Sequence, residues 1–565
     1  MLQLFFLDTA DNLSNEMLEK KEFRRDIMSL LIDALSINSY AVFFKRLSTW
    51  ENLSDAYIVL RSDSVLDQRT YNLPTVDQVA AVWKDGDRSG TGLERDIRVF
   101  TKSGASRIIS YYYGCYDTLQ YPLLFTRGEP GWHAGIGKLV LSHRLRQKGS
   151  VGSCSGQDIV DASVVQSAEQ LLRIENDVLQ QNRRNRSNVS CRQYYCYKAQ
   201  MRDGDWSYLL HAGRLTQQYI IDMYIKVETQ RLDYYRSEQV QRETRTESFQ
   251  GIIDSLHIDG EIAASGVGQK ILLPSSFIGG PRDMRRRYVN AMALVQKFGK
   301  PDLFITMTCN PAWKEITSML LPGQKPADRP DLVARVFQSK LQELKHDIIK
   351  NKIFGEVAAY VYAVESQKRG LPHCHWVIIL ADHHKIKSPA VYDHLISAEI
   401  PSGSNLFLRE CVIKHMMHGP CGDANPKNVC MRDGHCKNHF PKEFSDHTTA
   451  GKNGYAAYRR RDDGQRVLVR NVLLDNRFVV PYCPFLLSKF DCHINVEICA
   501  DAKLVKYLYK YIHKGHDKIA YNVVPNASVN ICDEIQDYQD GRWICAPEAC
   551  WRIYGFLMSE MSPQS

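Results

Sequence analysis

Gly370-Leu371-Pro372-His373-Cys374-His375 runs directly into Trp376-Val377-Ile378-Ile379-Leu380. The apolar run is too short for a membrane span or a typical helix. Its β-branched and aromatic content reads as a buried strand. Side chains alternate faces along a strand, so His373 and His375 point one way and Cys374 the other. Two neutral imidazoles on one face, at the start of a strand, can hold one divalent ion. Taken in isolation, the pair reads equally well as two histidines satisfied by local hydrogen bonds.

The flanking sequence supplies the rest of a domain. Gly299-Lys300-Pro301-Asp302 is a turn, and Leu303 to Pro311 reads as a strand ended by Asn310-Pro311. Leu332 to Lys350 has the periodicity of an amphipathic helix, and Val357 to Val364 that of a second strand. That strand leads through Glu365-Ser366-Gln367-Lys368-Arg369-Gly370 to the histidines. Strand, helix, strand, turn, strand predicts an α/β layered domain with a central sheet.

A cysteine and histidine cluster follows. His415, His418, Cys421, Cys430, His435, Cys436 and His439 lie close together among the turn formers Gly419-Pro420, Gly422-Asp423 and Asp433-Gly434. His418, Cys421, Cys430 and Cys436 offer four soft ligands at about the spacing of a structural Zn²⁺ site. A loop this polar has little core of its own, so a metal would supply its folding energy. Which histidine completes the set is open at this level, and a loop of free cysteines is the alternative.

Near the end of the chain, Ala502 to Lys514 reads as a helix closed by Gly515. Tyr507, Tyr511 and Lys514 are spaced i, i+4, i+7 and share one face. A phenolate can attack phosphorus when a cation stabilises it and a divalent ion polarises the phosphate. Two tyrosines one turn apart allow two successive transesterifications. Without the histidine pair, the same tyrosines would read as an aromatic stripe packed in a core.

Composition narrows the classes. The 565 residues suffice for about three or four domains. Hydrophobic content of 44% and charged content of 24% are those of a globular protein. A net charge of +8 suits a polyanionic partner. No apolar run reaches transmembrane length, and Met1 to Leu7, followed by acidic residues, does not read as a signal peptide. The 16 cysteines point to a reducing compartment and to metal ligation before disulfides. Gly131-Trp132-His133-Ala134-Gly135-Ile136-Gly137-Lys138 superficially resembles a phosphate loop. Trp132 stands where the first glycine belongs and Leu139 follows the lysine, so we reject it.

Long motifs in order resemble the replication-initiator-like HUH nuclease region of Helitron rolling-circle transposases. They are Phe304-Ile305-Thr306-Met307-Thr308-Cys309-Asn310-Pro311-Ala312-Trp313, Glu365-x-Gln367-Lys368-Arg369-Gly370-Leu371-Pro372-His373-Cys374-His375, Pro481-Tyr482, Cys492-His493-Ile494-Asn495-Val496-Glu497 and Lys506 to Gly515. The resemblance covers roughly Arg192 to Phe556, more weakly back to about Tyr71. It implies an α+β fold, a central antiparallel sheet flanked by helices. It implies that His373 and His375 bind Mg²⁺ or Mn²⁺, with Glu365 or Gln367 as third ligand. It implies that Tyr507 and Tyr511 are paired nucleophiles leaving a 5′-phosphotyrosine, with Lys514 orienting the phosphate. The implied partner is single-stranded DNA at transposon ends, with no membrane, and the implied place of action is the nucleus. Complete members carry a helicase domain after the nuclease; no Walker motif is found here, so a helicase would act in trans.

The expected organisation is a mixed α/β region over 1–143, a polar connector over 144–190, and the nuclease core over 191–400. A zinc-binding insertion over 411–445 and the tyrosine helix with the C-terminal part of the nuclease over 479–565 complete it. Two rival readings are a transposase remnant that binds single-stranded DNA without cutting, and a metallohydrolase using water at His373 and His375. The second leaves the tyrosine pair unexplained. Asp382-His383-His384 reads as a turn and helix cap rather than a site.

Overall fold

A computed structural model describes residues 25–42, 97–100, 106–109, 111–138, 188–204, 206–241, 272–366, 370–386, 388–450, 456–499, 534–539 and 544–563. Tyr57 to Leu60, whose composition reads as a strand, and Ala162 to Leu179, which reads as helical, lie outside these residues, as does the helix expected to bear Tyr507, Tyr511 and Lys514. The chain divides into two compact units, one of 1–212 with 225–237, the other of 213–224 with 238–565.

The first unit is organised round one buried carboxylate. Asp117 is completely buried and meets buried Lys226 at 3.0 Å. The Tyr195 hydroxyl donates to the same carboxylate at 2.9 Å. A charge this deep is tolerated because it is paired and hydrogen-bonded. Tyr195 arrives on helix Cys191–Lys198, whose start is a capping box between Ser190 and Gln193. The rejected phosphate-loop segment packs here: Trp132 is buried and its indole donates to the Val189 carbonyl at 2.9 Å. The sequence from Arg107 to Tyr112 reads as a strand; the strand observed is Ser106–Ile109, paired antiparallel with Ile97–Phe100.

The second unit holds a five-stranded antiparallel sheet. We label its main elements α1 (Pro281–Phe298), β1 (Leu303–Thr308), α2 (Pro330–Ile349), β2 (Val357–Ser366), β3 (Pro372–Leu380), α3 (Pro484–Phe490), β4 (Ile494–Ile498), α4 (Ala546–Tyr554) and β5 (Ser559–Ser562). Strand order is β4-β1-β3-β2-β5. This is the mixed α+β architecture expected, an antiparallel sheet flanked by helices. Helix α1 begins at Pro281, where the missing N–H costs nothing. It stops at Gly299, whose φ of +84° suits only glycine. Gly370, also at φ +84°, turns the chain into β3.

The two sheet faces are differently covered. Tyr360, Tyr362, Trp376 and Ile378 lie on one face, with the Trp376 and Tyr362 rings tilted together at a centroid distance of 4.5 Å. Helices α2 and α4 pack together on this side; Phe337 of α2 meets Trp551 of α4 at 6.0 Å. On the other face α1 sets Ala291 and Leu294 against Phe304, Val361, Ala363 and Val377. This core runs up to the histidines, Ala363 pairing with His375 across the strands. Every residue of β3 is buried, as a central strand of such a layered domain requires.

Phe337→Ala should leave a cavity that the fully buried centre of α2 cannot close. We expect a loss of about 3–5 kcal/mol, read as a lower urea midpoint for the second unit. An unchanged midpoint would show that α2 does not carry this core.

Candidate metal centres and their surroundings

Antiparallel register assembles the first centre. Pairing of β1 with β3 sets Thr306 opposite His375 and Thr308 opposite His373, and pairing of β2 with β3 sets Glu365 opposite His373. Directly opposed residues point to the same face, so all five side chains meet. Both histidines are buried. Thr308 Oγ1 lies 2.7 Å from His373 Nδ1, and Thr306 Oγ1 lies 3.1 Å from His375 Nδ1. Glu365 Oε1 lies 2.7 Å from His375 Nε2. One ligand atom from each of Glu365, His373 and His375 falls within 4.8 Å of the others. Phe304 stacks on His375 with centroids 5.5 Å apart, closing the ring's apolar side.

The residues fit a divalent cation. When Nδ1–H is donated to a threonine hydroxyl, Nε2 carries the lone pair a metal takes, and the hydroxyl fixes the ring's orientation. Burial holds His373 well below the ordinary imidazole range, reinforced by His375 and His493, so it stays neutral and ligand-ready. Mixed imidazole and carboxylate donors suit divalent ions of intermediate hardness. Of the two candidates for the third ligand, Glu365 is brought to the pair; Gln367 lies outside the described residues.

A second histidine system adjoins the first. The His493 backbone carbonyl accepts from Thr308 N at 2.9 Å, at the start of β4. Its Nδ1 lies 2.8 Å from the His415 carbonyl, which can only accept, so Nδ1 carries the proton. His415 sits in a π-helical turn, Val412–Met416, and its Nε2 lies 2.8 Å from Asp491 Oδ1. Burial lowers His493 despite the hydrogen bond, and lowers His415 despite Asp491. Sequence reasoning missed this group and the two threonines. Alternate Thr306 and Thr308 on a polar face was the available signal, but only register shows which histidine each meets.

The second centre is the cysteine loop. His418, Cys421, Cys430 and Cys436 bring their ligand atoms within 4.8 Å of one another. A two-residue hairpin, Met431–Arg432 against His435–Cys436, turns through Asp433 and Gly434 at positive φ. All three cysteines are buried, and His418 stacks 4.2 Å from Phe440. Burial pushes Cys421 up to about 12, and Cys436 and Cys430 reinforce the shift. Burial opposes ionisation of Cys436 too, but the backbone N–H groups of Phe440 and Asn438 hold it below the ordinary thiol range. A thiol held below its ordinary range beside two further cysteines and an imidazole is a donor set for a soft divalent ion. The described cysteines are all free thiols. A third grouping, Glu356 with His383 and His384, is exposed, and the His383–Glu356 pair is 3.6 Å apart.

The fold and these centres define a mixed α+β protein with two candidate metal sites, one on a sheet face and one in a cysteine loop. Residues 193–378 match the family model of the Helitron helicase-like domain at the N-terminus. Over those residues the chain is similar to that Helitron helicase-like domain. The match takes in Glu365, His373 and His375 and ends before the cysteine loop. No curated protein matches the chain. Among the described residues, no helix is long and apolar enough to cross a membrane.

His373, His415 and His493 have folded values below the imidazole reference of 6.5. Below that pH the unfolded chain takes up protons that the folded chain refuses, so stability falls as pH drops from 7.5 to 5.5. The expected slope is at most about 1.4 kcal/mol per pH unit per group. Urea titrations across this window test it; His493→Gln should flatten the slope, and equal slopes would refute the assignment.

Proposed function

We propose that the chain nicks and joins single-stranded DNA in rolling-circle transposition, through a 5′-phosphotyrosine intermediate. The single observation carrying this reading is the convergence of Glu365, His373 and His375 on a threonine-braced sheet face. The similarity of residues 193–378, which include the triad, to a Helitron helicase-like domain supports this reading. Mg²⁺ or Mn²⁺ held there would act as a Lewis acid on the non-bridging oxygens of a backbone phosphate.

The chain's own residues supply the rest. Tyr507 or Tyr511 attacks phosphorus through its phenolic oxygen. The P–O3′ bond breaks as the tyrosyl O–P bond forms, and the released 3′ oxygen takes a proton. Lys514 lowers the cost of the phenolate by its charge. A 3′-OH attacking the phosphotyrosine reverses the exchange and joins strands, so no external energy is spent. Two tyrosines permit one such exchange per strand end. The protein acts in the nucleus, with strand opening supplied by a helicase.

Labelled single-stranded oligonucleotide with Mn²⁺ should yield a covalent protein–DNA adduct on a denaturing gel. The double substitution Tyr507→Phe and Tyr511→Phe should abolish it, and His373→Ala should reduce it by ~10²-fold or more, as expected for losing a metal ligand. Binding without an adduct would instead favour a DNA-binding remnant. Cleavage by the tyrosine double variant without an adduct would favour hydrolysis by water.

The loop of His418, Cys421, Cys430 and Cys436 holds structural Zn²⁺, which supplies folding energy that so polar a segment lacks. Elemental analysis should find zinc retained through dialysis and released by Cys421→Ser. Release should lower the melting temperature of the second unit. Zinc content unaffected by Cys421→Ser and Cys436→Ser would overturn this assignment.

A further inference from the structure

Val467–Val469 and Val472–Leu474 form a short hairpin. Val467 and Leu474 are buried and seat it. Leu468 and Leu473 stand opposite one another on the outer face, 64% and 61% exposed. Arg470 and Asn471 make the turn, at φ +49° and +65°. Such a two-residue turn matches the twist of the strands it joins. Arg466, Arg470 and Asn471 are all exposed. No acidic residue occurs from Arg466 to Leu474. The tip is therefore an aliphatic ridge flanked by two guanidinium groups.

The hairpin stands on a fixed base. Asn476 accepts from Ile400 N at 2.8 Å and donates to the Arg461 carbonyl at 2.8 Å. Buried Arg460 donates from Nη1 to the carbonyls of Asn476 and Val479, at 2.7 and 2.6 Å. The tip also leans on the candidate zinc loop: a Cβ on Gly419, next to His418, would lie 3.0 Å from Arg470 Nη1. A two-leucine ridge is much too small for a stable protein interface, which needs about 1,000 Å². Cations round an apolar ridge complement a polyanion whose stacked interior is apolar.

We propose that this hairpin is a strand-separating wedge, its leucine pair entering the junction where duplex DNA gives way to single strand. Arg466 and Arg470 take the flanking phosphates. Aliphatic side chains inserted at a base step partly unstack it, and the arginines hold the opened form. The inference rests on the DNA reading above and names the form of DNA taken: a fork, not only a free single strand.

The test uses the full chain, a forked duplex with 2-aminopurine at the junction, and a single-stranded oligonucleotide of the same sequence. Manganese is omitted, so no cut is needed and failure of nicking does not decide the outcome. The parent chain should raise junction fluorescence. The double variant Leu468→Ser, Leu473→Ser should abolish that rise and bind the fork about 5- to 20-fold more weakly. It should bind the single strand within about twofold, because backbone and stacking contacts elsewhere are unchanged. Arg470→Ala should weaken fork binding and reduce its salt dependence by about one phosphate contact. Both leucines are exposed, so an unchanged melting temperature checks folding. Junction opening by the leucine variant equal to the parent's would overturn the proposal. So would no opening by the parent, or dissociation of a dimer by the leucine variant, which would mark the ridge as a contact between copies.

Discussion

Two threonine hydroxyls facing two imidazoles across adjacent strands are the constraint on which the candidate site depends. Thr306 and Thr308 meet His375 and His373 only because β1 and β3 pair in one register. A slip of one residue would turn the threonines to the opposite face and bring Ile305 and Met307 against the histidines. The register is enforced from the other face, where Ile305, Met307, Trp376 and Ile378 are completely buried. The hydrophobic layer and the polar site are thus two consequences of one alignment. Burial that stabilises the sheet also keeps His373 neutral, and a neutral imidazole is what a cation requires.

The division of the site face follows from helix α1. Its Ala291 and Leu294 cover the end of the sheet bearing Phe304 and Val377. Phe304 links the two regions, being part of that core and stacked on His375. Toward the other end, polar residues from β1, β2, β3 and the start of β4 come together. The π-helical turn carrying His415 joins them through His493. Such one-turn irregularities in helices commonly mark functional positions. The cysteine loop is built differently. Its core consists of the three thiols with Met431, Phe440 and Phe478 packed round them. So small an apolar core gives a segment of this polarity little stability of its own.

Much of the core was readable before any coordinates. Alternating or continuous apolar runs named β1, β2 and β3, and the Gly299 and Asn310-Pro311 punctuation placed the ends of β1 closely. The helix expected over Leu332 to Lys350 is α2, Pro330–Ile349. His418, Cys421, Cys430 and Cys436 are the four that converge, although His415, His435 and His439 were equally available by type. His415 is drawn instead to Asp491 by a hydrogen bond that crosses the fold. Tyr111 and Tyr112, in the turn that follows Ser106–Ile109, both donate to Asp233, a partner far along the chain.

What the amino-acid order determined by itself is local. Period-two alternation put His373 and His375 on one face, turn formers bounded the strands, and the cysteine spacing marked a metal loop. These follow from backbone geometry within a few residues. The tertiary structure alone decided that Glu365 joins the pair, that Thr306 and Thr308 brace it, and that His493 and His415 stand behind it. It also decided that Leu468 and Leu473 face solvent while Val467 and Leu474 do not. Those outcomes depend on register and on contacts between distant segments, and no local rule of propensity or spacing contains that information.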